Sequence, residues 1–102
     1  MSEVGIVIYR KSERSGTLEA EFYHPQTGSG TGEATGGPDE GFVGHYTIRY
    51  RYDSGRPDDV RQLEIQRAAD HFVLLWKHDD IVRAKGVGRM VGDQLAAGWG
   101  DI

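Results

Sequence analysis

Four histidines, several paired carboxylates and two glycine-rich runs are the first residues in this chain whose types could do chemistry. His24, His45, His71 and His78 include no pair at i, i+2 or i, i+4 spacing, so no single strand or helix face offers two imidazoles to one metal ion. "HDD" at His78, Asp79 and Asp80 could supply an imidazole and two carboxylates, but solvated acids in a tight hairpin turn explain it better. No metal site is expected. Carboxylates pair at Glu19 and Glu21, Asp39 and Glu40, and Asp58 and Asp59. General acid–base catalysis needs a carboxyl in a pocket with a shifted pKa, whereas these fall on strand outer faces or in turns. There is no cysteine and no Gly-x-Ser-x-Gly elbow to hold a nucleophile. The runs "GSGTGEATGG" and "GVGRMVG" lack the spacing of a dinucleotide loop and the Lys-Ser/Thr of a phosphate loop. Neither opens a helix whose N-terminus would face a phosphate. No enzyme, no cofactor and no catalytic residue is expected.

The remaining chemistry is aromatic. Phe22, Phe42, Tyr46, Tyr50, Phe72, Trp76 and Trp99 fall on the inward parity of alternating runs. Tyr46, Tyr50 and Trp76 carry donors that need partners once buried. Rings converging in an eight-stranded barrel either fill it or leave room for one small ligand. If a cavity exists, Tyr46, Tyr50, Trp76 and Trp99 are its expected lining, with Tyr23 and His24 at its mouth. A cavity above roughly 300 Å³ would favour a binder. A solid core with a large exposed apolar patch would favour an interaction module. A histidine or carboxylate inside a cavity would be required of an enzyme.

The elements that must position these rings are strands. "TLEAEFY" places Leu18, Ala20 and Phe22 on one side, and "FVGHYTIRYRY" does the same for Phe42, Tyr46, Ile48, Tyr50 and Tyr52. "GIVIY" is a short β-branched run and the expected first strand. Two readings compete over "DDVRQLEIQRAADHFVLLWK". A helix capped by Asp58 or Asp59 would put Glu64, Arg67 and His71 on its apolar stripe. A hairpin turning at "AAD" alternates Leu63 and Ile65 in one strand and Phe72, Leu74 and Trp76 in the next, and is favoured. From Val82 to Met90 the even positions are small or apolar, with Gly86 and Gly88 inward, while Arg83, Lys85 and Arg89 face out. "GD" at 92–93 signals a turn, and Leu95, Ala97 and Trp99 alternate again. "TGEATGG" could hold one very short strand, and "GSGTG" also reads as a flexible linker. Eight strands with sequential turns and glycine corners make an antiparallel up-and-down barrel.

The chain has 102 residues and a formal net charge of −4. That length suits a single domain, residues 1–102. A mildly acidic domain has no electrostatic reason to bind nucleic acid. "MSEVGIVIYR" is neither a leader peptide nor a membrane span, so a soluble cytoplasmic protein is expected. Arg49, Arg51, Arg83, Lys85 and Arg89 would form a positive stripe if their strands were neighbours; cross-strand pairing with acids such as Glu19 and Glu21 is the simpler account.

"LEIQRAADHFVLLWKHDDIVRAKGVGRMVGDQLAAGWG" resembles a recurring unit of small bacterial calycin-like proteins, the avidin-like and lipocalin-like barrels. The unit runs from a strand and an Asp turn to an aromatic strand ending in Trp, then Gly-x-Gly and a small-residue strand ending in Trp-Gly. "FVGHYTIRY" resembles its Gly-x-Tyr strand. Neither "GIV" nor "GTL" supplies the Gly-x-Trp that opens a lipocalin, and no biotin-binding set maps onto this chain. The resemblance implies a streptavidin- or lipocalin-like barrel that binds a small, largely apolar ligand. "TGGPDEGFVGHY" also resembles the Gly-Gly then Gly-x-Tyr order of a barrel-shaped negative regulator of type III secretion in enteric bacteria, which works through protein binding. That implies the alternative function, a regulatory module with a filled core acting through its outer sheet face as a dimer. A homodimer is the expected assembly.

Overall fold

Alternating side chains turn this chain into eight strands, and the strands into a closed wall. The computed structural model describes residues 3–102. In chain order the strands are β1 (Val4–Lys11), β2 (Leu18–His24), β3 (Gly28–Thr35), β4 (Gly44–Tyr52), β5 (Asp59–Arg67), β6 (Phe72–His78), β7 (Ile81–Val91) and β8 (Gln94–Asp101). Each pairs antiparallel with the next, and β8 pairs with β1, closing an up-and-down barrel with no free sheet edge. Residues 59–77 form a hairpin, not a helix: Leu63 lies across from Trp76 and Ile65 across from Leu74. No helix among the described residues is long and apolar enough to cross a membrane.

Two readings of local sequence are corrected. "GSGTG" is not a linker, and the strand expected within "TGEATGG" is not very short: β3 runs eight residues from Gly28 to Thr35, with "GSGTG" as its first five. Its glycines are explained by what faces them: a Cβ on Gly30 would lie 2.4 Å from the Phe22 ring. Strand propensity lost at glycine is outweighed by the ring it admits. The positive stripe does not form either, because β5 and β6 separate β4 from β7. Arg49 and Arg51 instead lie 3.4 and 3.8 Å from Asp58, and Arg10 lies 3.4 Å from Glu21.

Tight turns set the register. The β6–β7 hairpin turns on Asp79 and Asp80, both at positive φ (53° and 64°), as a two-residue type I′ turn requires. The β2–β3 turn has Pro25 at its second position, closes with Thr27 N–H donating to His24 O at 3.2 Å, and ends on Gly28 at φ 78°.

The two ends of the barrel differ. The end carrying the β1–β2 and β3–β4 loops is sealed. Phe42 is drawn under the barrel from the β3–β4 loop, just ahead of the strand expected to hold it, and is buried. Tyr46 Oη donates to Phe42 O at 2.8 Å, and Lys11 Nζ donates to Pro38 O at 3.1 Å. Above this plug Leu18, Ile48, Leu63, Ile65, Leu74 and Leu95 are fully buried. The other end, where β2, β4, β6 and β8 finish, stays open.

Candidate functional site

A cavity of about 240 Å³ opens at that end. Phe22, Trp76, Trp99 and Tyr50 wall it together with Val7, Ala84, His24 and Tyr52, and Gln26, Thr27, Arg56, Asp59, Arg61 and Asp101 add polar groups toward its mouth. The space is below the roughly 300 Å³ set above as favouring a binder and at the small end of ligand sites, so volume alone does not favour binding and any occupant is small.

Each large ring stands beside a small residue on a neighbouring strand. Trp99 lies across from Gly5 on β1 and Gly86 on β7, and a Cβ on Gly5 would fall 2.4 Å from the indole. Tyr50 lies across from Gly32. Phe22 meets Tyr50 and Tyr52 edge-on, with centroids 5.3 and 5.5 Å apart, contacts worth about 0.5–1.5 kcal/mol each beyond area burial. A β-bulge sits between Trp76 and Lys77, where β7 fits Arg83 in as an extra residue. Bulges at barrel rims re-aim neighbouring side chains, and this one lies beside the Trp76 indole at the cavity wall.

The polar atoms buried with these rings all have hydrogen-bond partners. Trp76 Nε1–H donates to Tyr50 Oη at 2.7 Å, and Tyr50 Oη lies 2.6 Å from Tyr9 Oη. Burial pushes Tyr50 up to about 12 and Tyr9 well above the usual phenol value. Both hydroxyls are therefore protonated at neutral pH. His24 is buried and stacked on Trp99, ring centroids 4.9 Å apart. Its Nδ1 accepts the Gln26 backbone N–H at 3.1 Å, which leaves Nε2 to carry the ring hydrogen in the neutral form. At the rim Arg61 Nε donates to Asp59 Oδ2 at 3.0 Å, and the Arg56 guanidinium lies 4.8 Å from the Tyr52 ring centroid.

Of the six residues expected at a site, Tyr50, Trp76, Trp99 and His24 lie on this one cavity. Tyr46 points inward as expected but serves the sealed end through Phe42. Tyr23 does not reach the mouth: it is exposed on the outer face, because its neighbour Phe22 takes the inward parity of β2. Sequence reasoning missed Tyr9, Asp59 and Arg61. A signal existed for each. Val7 and Tyr9 share the parity of Gly5, and Asp59 and Arg61 continue that of Leu63 and Ile65. Charge at the start of β5 was read as turn chemistry, whereas it is the inner rim of the mouth. No group of histidine and carboxylate residues suited to a metal ion occurs among the described residues.

Scanned against protein-family models, curated proteins and solved structures, the chain matches none. The functional argument therefore rests on the cavity and the outer faces alone.

Proposed function

We propose that this chain binds a small, largely apolar molecule, without catalysis, in the open end of a calycin-like barrel. The carrying observation is the cavity walled by Phe22, Trp76 and Trp99 with the Tyr50 hydroxyl at depth. Flat ring walls for an apolar body, with polar groups toward the mouth for its remainder, suit a small-ligand site. A charged rim adds contacts for whatever part of the ligand projects from so small a space. His24, Asp59 and Asp101 line the cavity; His24 Nδ1 is occupied by a backbone N–H and Asp59 is held in an ion pair with Arg61, roles that favour binding over acid–base work.

Native mass spectrometry of protein purified from its source, with thermal shifts against a panel of small aromatic compounds, tests this reading. A retained small molecule or a ligand-dependent rise in Tm is expected. Ala84→Leu adds bulk to the cavity wall beside Trp76 and should reduce or abolish that rise, at a cost of about 1–3 kcal/mol to the unliganded protein. Bare protein with no shift from any compound would remove the reading.

A second reading is favoured by one observation. Tyr23, Ile6, Gly98, Val87 and Val73 form a row across β2, β1, β8, β7 and β6 on the outside of the barrel. Ile6 is 62%, Val87 56% and Tyr23 50% exposed. The row runs about half-way round the wall, and its middle, Ile6, Gly98 and Val87 on β1, β8 and β7, is an exposed, largely apolar patch on one side; a second copy of this chain is the occupant this reading takes.

A further inference from the structure

We propose that the cavity selects flat, neutral heteroaromatic molecules that turn a hydrogen-bond acceptor, a ring nitrogen or a carbonyl oxygen, toward the Tyr50 hydroxyl. The inference rests on the ligand-binding reading above and names the class of ligand. It follows from counting hydrogens in the trio of Tyr9, Tyr50 and Trp76. A phenol has one hydrogen to give and two lone pairs to receive; an indole N–H can only give. Trp76 Nε1–H therefore donates to Tyr50 Oη, 2.7 Å away.

The 2.6 Å contact between Tyr9 and Tyr50 could run either way by geometry. Burial decides it. Tyr9 is fully buried, and among the described residues Tyr50 Oη is the acceptor within reach of its hydroxyl. Were Tyr50 to donate to Tyr9, the Tyr9 hydrogen would be stranded in the core, the costly arrangement for a buried donor. Tyr9 donates to Tyr50. Tyr50 Oη then receives two hydrogen bonds, its lone pairs are used, and its own hydrogen is left without a partner among the described residues. Tyr50 lines the cavity, so that hydrogen has the cavity to point into.

A spare donor deep in a ring-walled space asks for an acceptor. An anion at that depth would lose its hydration and gain no unpaired cation. Arg61, the cation whose charge Tyr50 feels, is already paired with Asp59 at 3.0 Å, and Arg56 at the rim stacks over the Tyr52 ring. The acceptor is therefore neutral, and the walls of Phe22, Trp76 and Trp99 require it to sit on a flat ring. Burial keeps the Tyr50 phenol protonated far above neutral pH, so the donor is present under ordinary conditions.

Quinoline and naphthalene test this, being bicycles of one shape that differ by a ring nitrogen. Affinities come from calorimetry, and the indole N–H resonances of Trp76 and Trp99 report where the ring sits. Wild type should bind quinoline about three- to tenfold tighter than naphthalene, the worth of one hydrogen bond. Tyr50→Phe should remove that preference, bringing the two within about twofold. Tyr9→Phe should keep the preference, because Tyr9 never engaged the Tyr50 hydrogen. Equal wild-type affinities with both indole signals shifted would overturn the acceptor requirement while leaving ligand binding in place. A preference unchanged in Tyr50→Phe, or one that rises in Tyr9→Phe, would overturn it as well; the rise would mean that Tyr50 had been donating to Tyr9. Should Tyr50→Phe not fold, the wild-type ratio and the Tyr9→Phe arm still decide. If neither compound moves an indole signal in any of these proteins, the ligand-binding reading fails and takes this inference with it.

Discussion

Tyrosine hydroxyls decide most of what individual residues do in this protein. Burial drives Tyr46 and Tyr50 up to about 12 and Tyr9 well above the usual value. For a raised phenol, the folded state keeps its proton at a pH where the unfolded chain gives it up. Stability is then fully present below pH 10.0, the unfolded value, and is lost as pH rises through the folded value of about 12. A urea midpoint that holds up to pH 10.0 and then falls steeply toward pH 12 is the expected outcome. Phenolate absorbance from these three rings should appear only with the loss of fold, and Tyr50→Phe should soften the alkaline fall. A flat midpoint between those limits would contradict the burial of all three. The need for partners at Tyr46, Tyr50 and Trp76 was legible in the sequence, since an inward ring with a donor must be satisfied. Which partner each finds was not. Tyr9 and Tyr50 are 41 residues apart and meet only because the barrel closes, a contact no local pattern encodes.

Among elements, β3 shows where strand rules give way to packing. Three inward glycines weaken it by every local measure, and a propensity reading leaves only a fragment there. What rescues β3 lies on its neighbours. Phe22 on β2 and Tyr50 on β4 occupy the volume that side chains at Gly30 and Gly32 would fill. A Cβ at Gly30 would also come 2.3 Å from the Arg51 carbonyl oxygen, so backbone as well as ring must move. Gly30→Ala should therefore cost at least about 2 kcal/mol and lower Tm by roughly 10 °C or more in a chain this long. Gly98 on β8 is the control. It faces outward, and a Cβ there has the Gly5 carbonyl as its nearest contact, at an ordinary 3.8 Å. Gly98→Ala should change stability by no more than about 0.5 kcal/mol. Equal losses in the two variants, read from thermal unfolding, would mean that strand propensity and not ring accommodation sets the cost. The hairpin over 59–77 was legible for the opposite reason. Its inward residues, Leu63, Ile65, Leu74 and Trp76, carry the alternation themselves, without help from a neighbour.

At the scale of the molecule, the closed wall separates two surfaces that can be tested apart. The cavity opens at one end, while the apolar row from Tyr23 to Val73 runs around the outside. A standard interface takes ~800 Å² from each partner, about an eighth of this chain's 6313 Å²; the middle of the row, Ile6, Gly98 and Val87, supplies part of that, and the outward residues flanking it must supply the rest. Charge constrains how two copies could meet. Lys85 and Arg89 flank Val87 on β7. A two-fold axis running across the strands would lay β7 on β7 and bring these cations together. An axis along β8 lays β7 of one copy over β1 of its partner instead. Val87 then meets Ile6, Gly98 meets its own copy where no side chain keeps the walls apart, and Arg89 approaches the Glu21 side of the row. Under the interaction reading, light scattering at micromolar concentration should give twice the chain mass of 11.3 kDa. Ile6→Glu should return the mass to that of one chain with Tm unchanged apart from the lost assembly, because residue 6 faces away from the core. Lys85→Glu, which puts an acid among the β1 aliphatics of the partner, should weaken the dimer as well. A wild-type mass of one chain would remove the second copy as the occupant of this face. It would leave the cavity untouched, since no residue of the apolar row lines it.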